Sequence, residues 1–333
     1  MAIEIRKPTF QSLKNIVIDL HKNRKLVYKK NNVSIYACNF LDNKSRFYIF
    51  KKKKKNFFIK IIKSNNLKIK EDIRISKFLK NKKVNVPKIY ENTHFLPFFK
   101  RYLKPKETIV CYDLLEKMSI IREGDFFNLG KSLNFFHENM SHYNRKRIIK
   151  QNTIKRIKIL KINLKLFISK SHKDELLKKI KKILVKEKNI FEQIDKWDFN
   201  CITHGDLVPS NLVKSKKKFY FIDFEDTSYS YFVKEFDISL IIERLILYNN
   251  KNNINKKKLL IKNLLNGYRN NNNKKFFKSI YLASVFNNIK SILSILNNYD
   301  ANKKFVILEL KKFIYLYNLI NRNKKLLENF KNF

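Results

Sequence analysis

The run Cys201-Ile202-Thr203-His204-Gly205-Asp206-Leu207-Val208-Pro209-Ser210-Asn211 holds residue types that can handle an alcohol and a phosphate-bound metal ion. A Lys-rich turn follows, then Phe219-Tyr220-Phe221-Ile222-Asp223-Phe224-Glu225-Asp226. Asp206 falls in a loop, where a carboxylate can orient a hydroxyl and accept its proton. Asn211, five residues on, and Asp223, on the next strand, can bring oxygen ligands to Mg²⁺ on phosphates. That ion is hard and is usually held by one or two protein groups plus the substrate's own phosphates. Gly205 is one of only four glycines. In a chain so poor in glycine it marks a backbone need, either close approach or an unusual φ. A polar turn between strands accounts for any one of these residues, but not for all of them in this order.

The elements that must position them are legible as pattern. Val33–Cys38, Phe47–Phe50 and Phe57–Ile62 are short runs rich in β-branched and aromatic residues and read as strands. Val84–Ile89 leads into another strand, and Thr108–Tyr112 is a further one. Ile69, Ile73, Ile75, Phe78 and Leu79 recur at helical spacing. Residues 1–30 read as a lead-in with one helix, Ser12–His21. Beyond residue 120 the pattern is helical over Phe126–Glu138, Gln151–Glu187, Phe236–Tyr248, Lys256–Tyr268, Lys275–Asn297 and Phe305–Leu327, interrupted by two short strands around a loop in 200–227. The fold class is α+β: a small β-rich lobe over residues 1–112 and a larger, mostly helical lobe over 113–333.

With these residues in view, the segment 204–226 resembles the aminoglycoside phosphotransferase and choline kinase superfamily, whose fold is similar to that of protein kinases. The family has His-Gly-Asp where protein kinases have His-Arg-Asp, and Ile-Asp-Phe or Ile-Asp-Trp at the second metal Asp. The resemblance implies ATP as donor, Mg²⁺ as metal and a small-molecule alcohol as acceptor. It makes Asp206 the catalytic Asp, with Asn211 and Asp223 as metal ligands. His204 and Asp237, the latter in Phe236-Asp237-Ile238, support the loop. Lys60 looks like the strand lysine that contacts the ATP phosphates. Glu71 is its expected ion-pair partner, with Asp72 competing. Cys111-Tyr112-Asp113-Leu114-Leu115 resembles the hinge whose backbone reads adenine, which implicates Asp113 and Leu115. Val84-Asn85-Val86-Pro87 and the Leu129–His137 helix are similar to further family segments, and His137 is expected simply to pack. Three departures bear on the acceptor. The loop 39–46 has no glycine to cover the phosphates, the stretch after Asp223 lacks the usual Gly-Asp, and the chain stops at Ile-Asp-Phe-Glu where choline-type kinases commonly have Ile-Asp-Phe-Glu-Tyr. Glu225 and Asp226 offer carboxylates to a cationic acceptor. Choline or ethanolamine, a sugar, an amino sugar and thiamine all remain open.

Composition supplies the exclusions. The 333 residues carry 74 Lys or Arg against 28 Asp or Glu, a formal net charge of +46. Hydrophobic residues at 44% and aromatics at 14% exclude a disordered chain. Only 12 of the basic residues are Arg, which is the residue suited to bidentate phosphate and base contacts. Lys, Asn, Ile, Phe and Tyr are abundant while Gly, Pro and Trp are scarce, as A/T-rich codons produce. The lysine clusters are scattered instead of gathered on one tail. Compositional drift therefore explains the charge better than a nucleic-acid-binding role, which stays as an alternative beside a degenerate kinase that binds nucleotide without turnover. Cys38, Cys111 and Cys201 form no disulfide framework or zinc site. No membrane span or signal peptide is expected, which points to a cytoplasmic monomer or homodimer.

Overall fold

This computed structural model describes residues 24–30, 32–38, 46–53, 55–63, 67–115, 118–119, 121–215, 217–250, 252–268, 274–297 and 303–328. The helix expected at Ser12–His21 and most of the glycine-free loop 39–46 lie outside them. The chain forms two compact units. The first comprises Met1–Arg122 with Pro209–Glu225, the second Glu123–Val208 with Asp226–Phe333.

The first unit is built on a six-stranded antiparallel sheet of order β1-β2-β3-β4-β6-β5. Its strands are β1 (Arg24–Lys30), β2 (Val33–Cys38), β3 (Arg46–Lys52), β4 (Lys55–Lys63), β5 (Ile89–Tyr90) and β6 (Glu107–Asp113). Alternation along β4 sends Phe57, Ile59 and Ile61 to one face, where they join Ile35, Phe50 and Cys111 in the core. Phe50 meets Phe95 and Phe98 edge-on at ring centroids 5.3 and 5.1 Å apart. Lys60 shares the opposite face, so the period of two decides which way it points. Helix α1 (Leu67–Asn81) follows β4, burying Ile69, Ile75 and Leu79. β1 lies in the stretch read as a lead-in, because its Arg-Lys-Leu-Val-Tyr-Lys-Lys sequence is polar at both ends.

The segment 209–225 returns to this unit as a hairpin of β9 (Leu212–Ser215) and β10 (Lys218–Phe221), with β7 (Met118–Ser119) paired to β9. The Phe221 N–H donates to the Asn85 carbonyl at 3.1 Å. The hairpin thus belongs to the first unit, together with the sheet.

The second unit is helical. It contains α3 (Phe126–Met140), α4 (Lys146–Ser169), α5 (Glu175–Lys186), α6 (Ile190–Asp195), α7 (Glu235–Ile241), α8 (Ile254–Tyr268), α9 (Lys274–Leu296), α10 (Lys303–Arg322) and α11 (Lys324–Glu328), with α2 (Leu96–Phe99) a single turn in the first unit. The single helix expected over Gln151–Glu187 is two, because Asp174 caps α5 by accepting from the Leu176 and Leu177 N–H groups. α7 runs on as a π-helical turn, Ile242–Leu247. Helices α3 and α8 pack against one another at Gly130, where a Cβ would stand 2.0 Å from the Leu264 carbonyl oxygen. In α9 the stretch Phe276–Leu296 is long and apolar enough to cross a membrane, but 67% of it is buried within the protein. Short strands β8 (Cys201–Ile202) and β11 (Tyr231–Phe232) pair antiparallel and present the loop between them and the hairpin.

Candidate active site

In the first unit, Lys60 sits mid-β4 opposite Phe47 and Val110. Its ammonium forms an ion pair with Glu225. Burial alone would push this ammonium's pKa down, but the charges of Asp223, Glu225 and Asp72 outweigh it, so the net shift is upward and the lysine is held charged. Asp72, on α1, acts on Lys60 through its charge. It is buried, and it accepts from the Phe224 N–H at 2.9 Å and from the Tyr112 hydroxyl at 2.8 Å. Burial raises its pKa, against the pull of those donors and of Lys60. Glu71 is also buried, and its carboxylate accepts from Arg74 at 3.2 Å. Glu225, expected toward an acceptor, thus faces Lys60.

Asn211 closes a short 3₁₀ turn, Pro209–Asn211, and is buried. Its carbonyl accepts from the Ile222 N–H at 3.1 Å, extending the β9–β10 ladder by one step. Asn211 and Asp223 therefore stand at the same end of one hairpin. Asp223 is exposed and adopts φ +65°, in the left-handed region that non-glycine residues seldom occupy. Among the described residues no group of three or more His, Cys, Asp or Glu could hold a metal on its own. An Asn oxygen beside a carboxylate fits Mg²⁺ that takes its remaining ligands from phosphates and water. At the expected hinge, Asp113 accepts from the Tyr90 hydroxyl at 2.6 Å, and its N–H donates to the Lys88 carbonyl. Leu115 is half-buried two residues past the end of β6.

In the second unit, Asp206 follows Gly205, whose φ is +85°. A Cβ there would lie 2.0 Å from the Ser230 Oγ, so only glycine fits. Asp237 is fully buried and gathers the loop. It accepts from the His204 N–H at 2.7 Å and the Gly205 N–H at 3.1 Å, and pairs with His137 Nε2 at 2.9 Å. His137 Nδ1 lies 2.6 Å from the Tyr268 hydroxyl. Burial would raise the Asp237 pKa, but hydrogen bonding to His137 and the charges of both histidines lower it overall. Thr227 donates to the His204 carbonyl at 2.9 Å. Asp226 is held by Arg156 at 3.4 Å. The sequence reads His137 as packing only, whereas both its ring nitrogens have polar partners in the structure. Its position on an otherwise apolar stripe, beside Leu133 and Met140, was the available sign of a buried partner.

No family model and no curated protein matches the chain. Solved structures do. A spectinomycin phosphotransferase crystallised with ADP and spectinomycin superposes with TM-score 0.61 at 15% identity, over 94% of this chain and 98% of that one. A choline kinase from Cryptosporidium parvum gives 0.56 at 15% identity, over 95% and 97%. Choline kinase LicA from Streptococcus pneumoniae gives 0.54 at 13% identity, over 94% and 99%. The chain has the protein-kinase-like fold of the aminoglycoside phosphotransferases and choline kinases.

Proposed function

We propose that the protein is an ATP- and Mg²⁺-dependent phosphotransferase that phosphorylates a hydroxyl of a small molecule. The observation that carries this reading is the hairpin end that brings Asn211 and Asp223 together, with Lys60 charged in the field of Asp223. Mg·ATP, when bound, supplies the transferable phosphoryl group and neutralises its charge. Asn211 and Asp223 contribute oxygen ligands, and Lys60 exchanges Glu225 for phosphate oxygens. The backbone at Asp113 and Leu115 faces adenine. Asp206 orients the acceptor oxygen and takes its proton as the new O–P bond forms and the bond to the leaving diphosphate breaks. Positioning and charge neutralisation supply most of the acceleration.

The spectinomycin enzyme and the choline kinases differ widely in acceptor, so the fold leaves that choice open. In this chain Glu225 is engaged by Lys60 and Asp226 by Arg156. Asp226 is thus already balanced by Arg156, whereas Glu225 is freed when Lys60 turns to phosphate, so cationic and neutral acceptors both belong in any test. The test is ATP consumption with Mg²⁺ over choline, ethanolamine, thiamine, homoserine, sugars, amino sugars and an aminoglycoside, alongside Asp206→Asn. One acceptor is expected to raise turnover, and Asp206→Asn to lower it by about 100-fold or more while still binding Mg·ATP. Undiminished turnover in that variant would remove Asp206 from the chemistry.

A further inference from the structure

Lys290 lies in α9 among Phe286, Ile289 and Leu293, all buried, and is itself only 7% exposed. An ammonium in such surroundings is costly unless something specific holds it. Its Nζ donates to the Gly205 carbonyl at 3.1 Å and stands 4.9 Å from the centre of the Phe236 ring. The Gly205 carbonyl belongs to the peptide bond whose N–H is that of Asp206. The preceding peptide is held through its own N–H by Asp237, and Ser230 packs on the open face of the glycine. The main chain entering Asp206 is thus gripped on one side by a carboxylate and on the other by an ammonium.

We propose that Lys290 is a positioning residue: its charged ammonium holds the Gly205–Asp206 peptide and so aims the Asp206 carboxylate at the acceptor hydroxyl. This rests on the reading of Asp206 given above. The groups acting on the ammonium are Arg156, which repels it, and Asp226, Asp206 and Asp237, which attract it. Burial and Arg156 push its pKa down to about 8 despite the three carboxylates. Below that pH the ammonium is charged and its hydrogen bond to the carbonyl is charge-assisted. Above it the neutral amine holds the peptide less firmly, and Asp206 loses a neighbouring positive charge. A purely structural lysine would make no such demand on its charge in turnover.

The experiment uses the full chain and measures Asp206-dependent ATP consumption from below to above about pH 8, with water as acceptor if no alcohol serves. Wild-type kcat is expected to fall as pH rises through that value, with the KM for ATP little changed. Lys290→Arg keeps the charge at every accessible pH. It should retain activity within about 10-fold and lose the alkaline fall. Lys290→Met should lower kcat by about 10- to 100-fold below pH 8 while leaving Mg·ATP affinity and melting temperature near wild type. Wild-type kcat in a folded Lys290→Met protein, or an unaltered alkaline fall in Lys290→Arg, overturns the proposal. If neither variant folds, a wild-type profile flat through pH 8 overturns it. ATP consumption that survives Asp206→Asn defeats the kinase reading instead, whereas consumption that needs Asp206 but not Lys290 defeats only this inference.

Discussion

Gly205 and Asp223 hold the two left-handed backbones of the candidate site, at φ +85° and +65°. They carry different burdens. At Gly205 a side chain is blocked both by the backbone, at about 1–2 kcal/mol, and by Ser230, which sits where a Cβ would go. Gly205→Ala is therefore expected to destabilise the protein, and adding Ser230→Gly should recover only the steric part. Melting curves of the two variants measure that split; complete recovery would show that φ contributes nothing. At Asp223 the strain is borne by a residue with a carboxylate to offer, as strained positions at ligand sites often are. Asp223→Ala is expected to weaken Mg·ATP binding by at least about 10-fold, a change of about 1.4 kcal/mol, read by nucleotide titration with and without Mg²⁺. Asp237 adds a pH dependence. Its pKa is lower folded than unfolded, so its contribution to stability is present above the unfolded carboxylate value and fades as pH falls through the folded one. Asp237→Asn should flatten that acid limb in denaturant melts taken across pH.

Helices α3 and α8 approach so closely at Gly130 and Gly267 that backbone meets backbone. A Cβ on Gly267 would lie 1.9 Å from the Phe127 carbonyl oxygen. That approach has a use, since α3 carries His137 and α8 carries Tyr268, and the two bond each other before His137 reaches Asp237. Two effects oppose one another in Gly130→Ala. Helix propensity favours Ala by about 1 kcal/mol. Overpacking costs typically about 1–3 kcal/mol, and more where the obstacle is backbone that cannot rotate away. Packing should win, and the variant should melt lower and lose activity together. A higher melting temperature would mean that the helices separate freely. Pattern read these helices to within two or three residues, because a buried stripe has a period. It missed the break before α5, where one cap at Asp174 outweighs a helical pattern that continues on both sides.

Across the whole molecule, the chain leaves its first unit at Arg122 and returns for 209–225. That return supplies Phe224 N–H to buried Asp72, Glu225 to Lys60 and β9 to β7. A fragment of residues 1–122 alone would leave a buried carboxylate without its backbone donor, at a cost of about 1–3 kcal/mol. It would also lose one whole strand pairing. The fragment is expected to be unstable on its own, and adding 209–225 through a linker should improve it; cooperative unfolding of 1–122 by itself would contradict this. The charge of +46 is carried by exposed lysines on helices of both units, including Lys70 and Lys77 on α1 and Lys155, Lys158 and Lys165 on α4.

Sequence alone determined the fold class and the place of most helices and sheet strands, because these depend on local periods and short spacings. Asp206, Asn211, Asp223, Lys60 and Asp237 each sit in a run whose neighbours mark them as candidates. Which carboxylate faces Lys60 was not legible. Glu71, Asp72 and Glu225 are equally acidic as letters, and only the phase of α1 and the returning hairpin distinguish them. His137 and Lys290 were illegible for the same reason. Each is a buried polar side chain on a helix, and its meaning lies in a carboxylate 100 positions away or a backbone carbonyl 85 positions away that packing alone brings within hydrogen-bond reach.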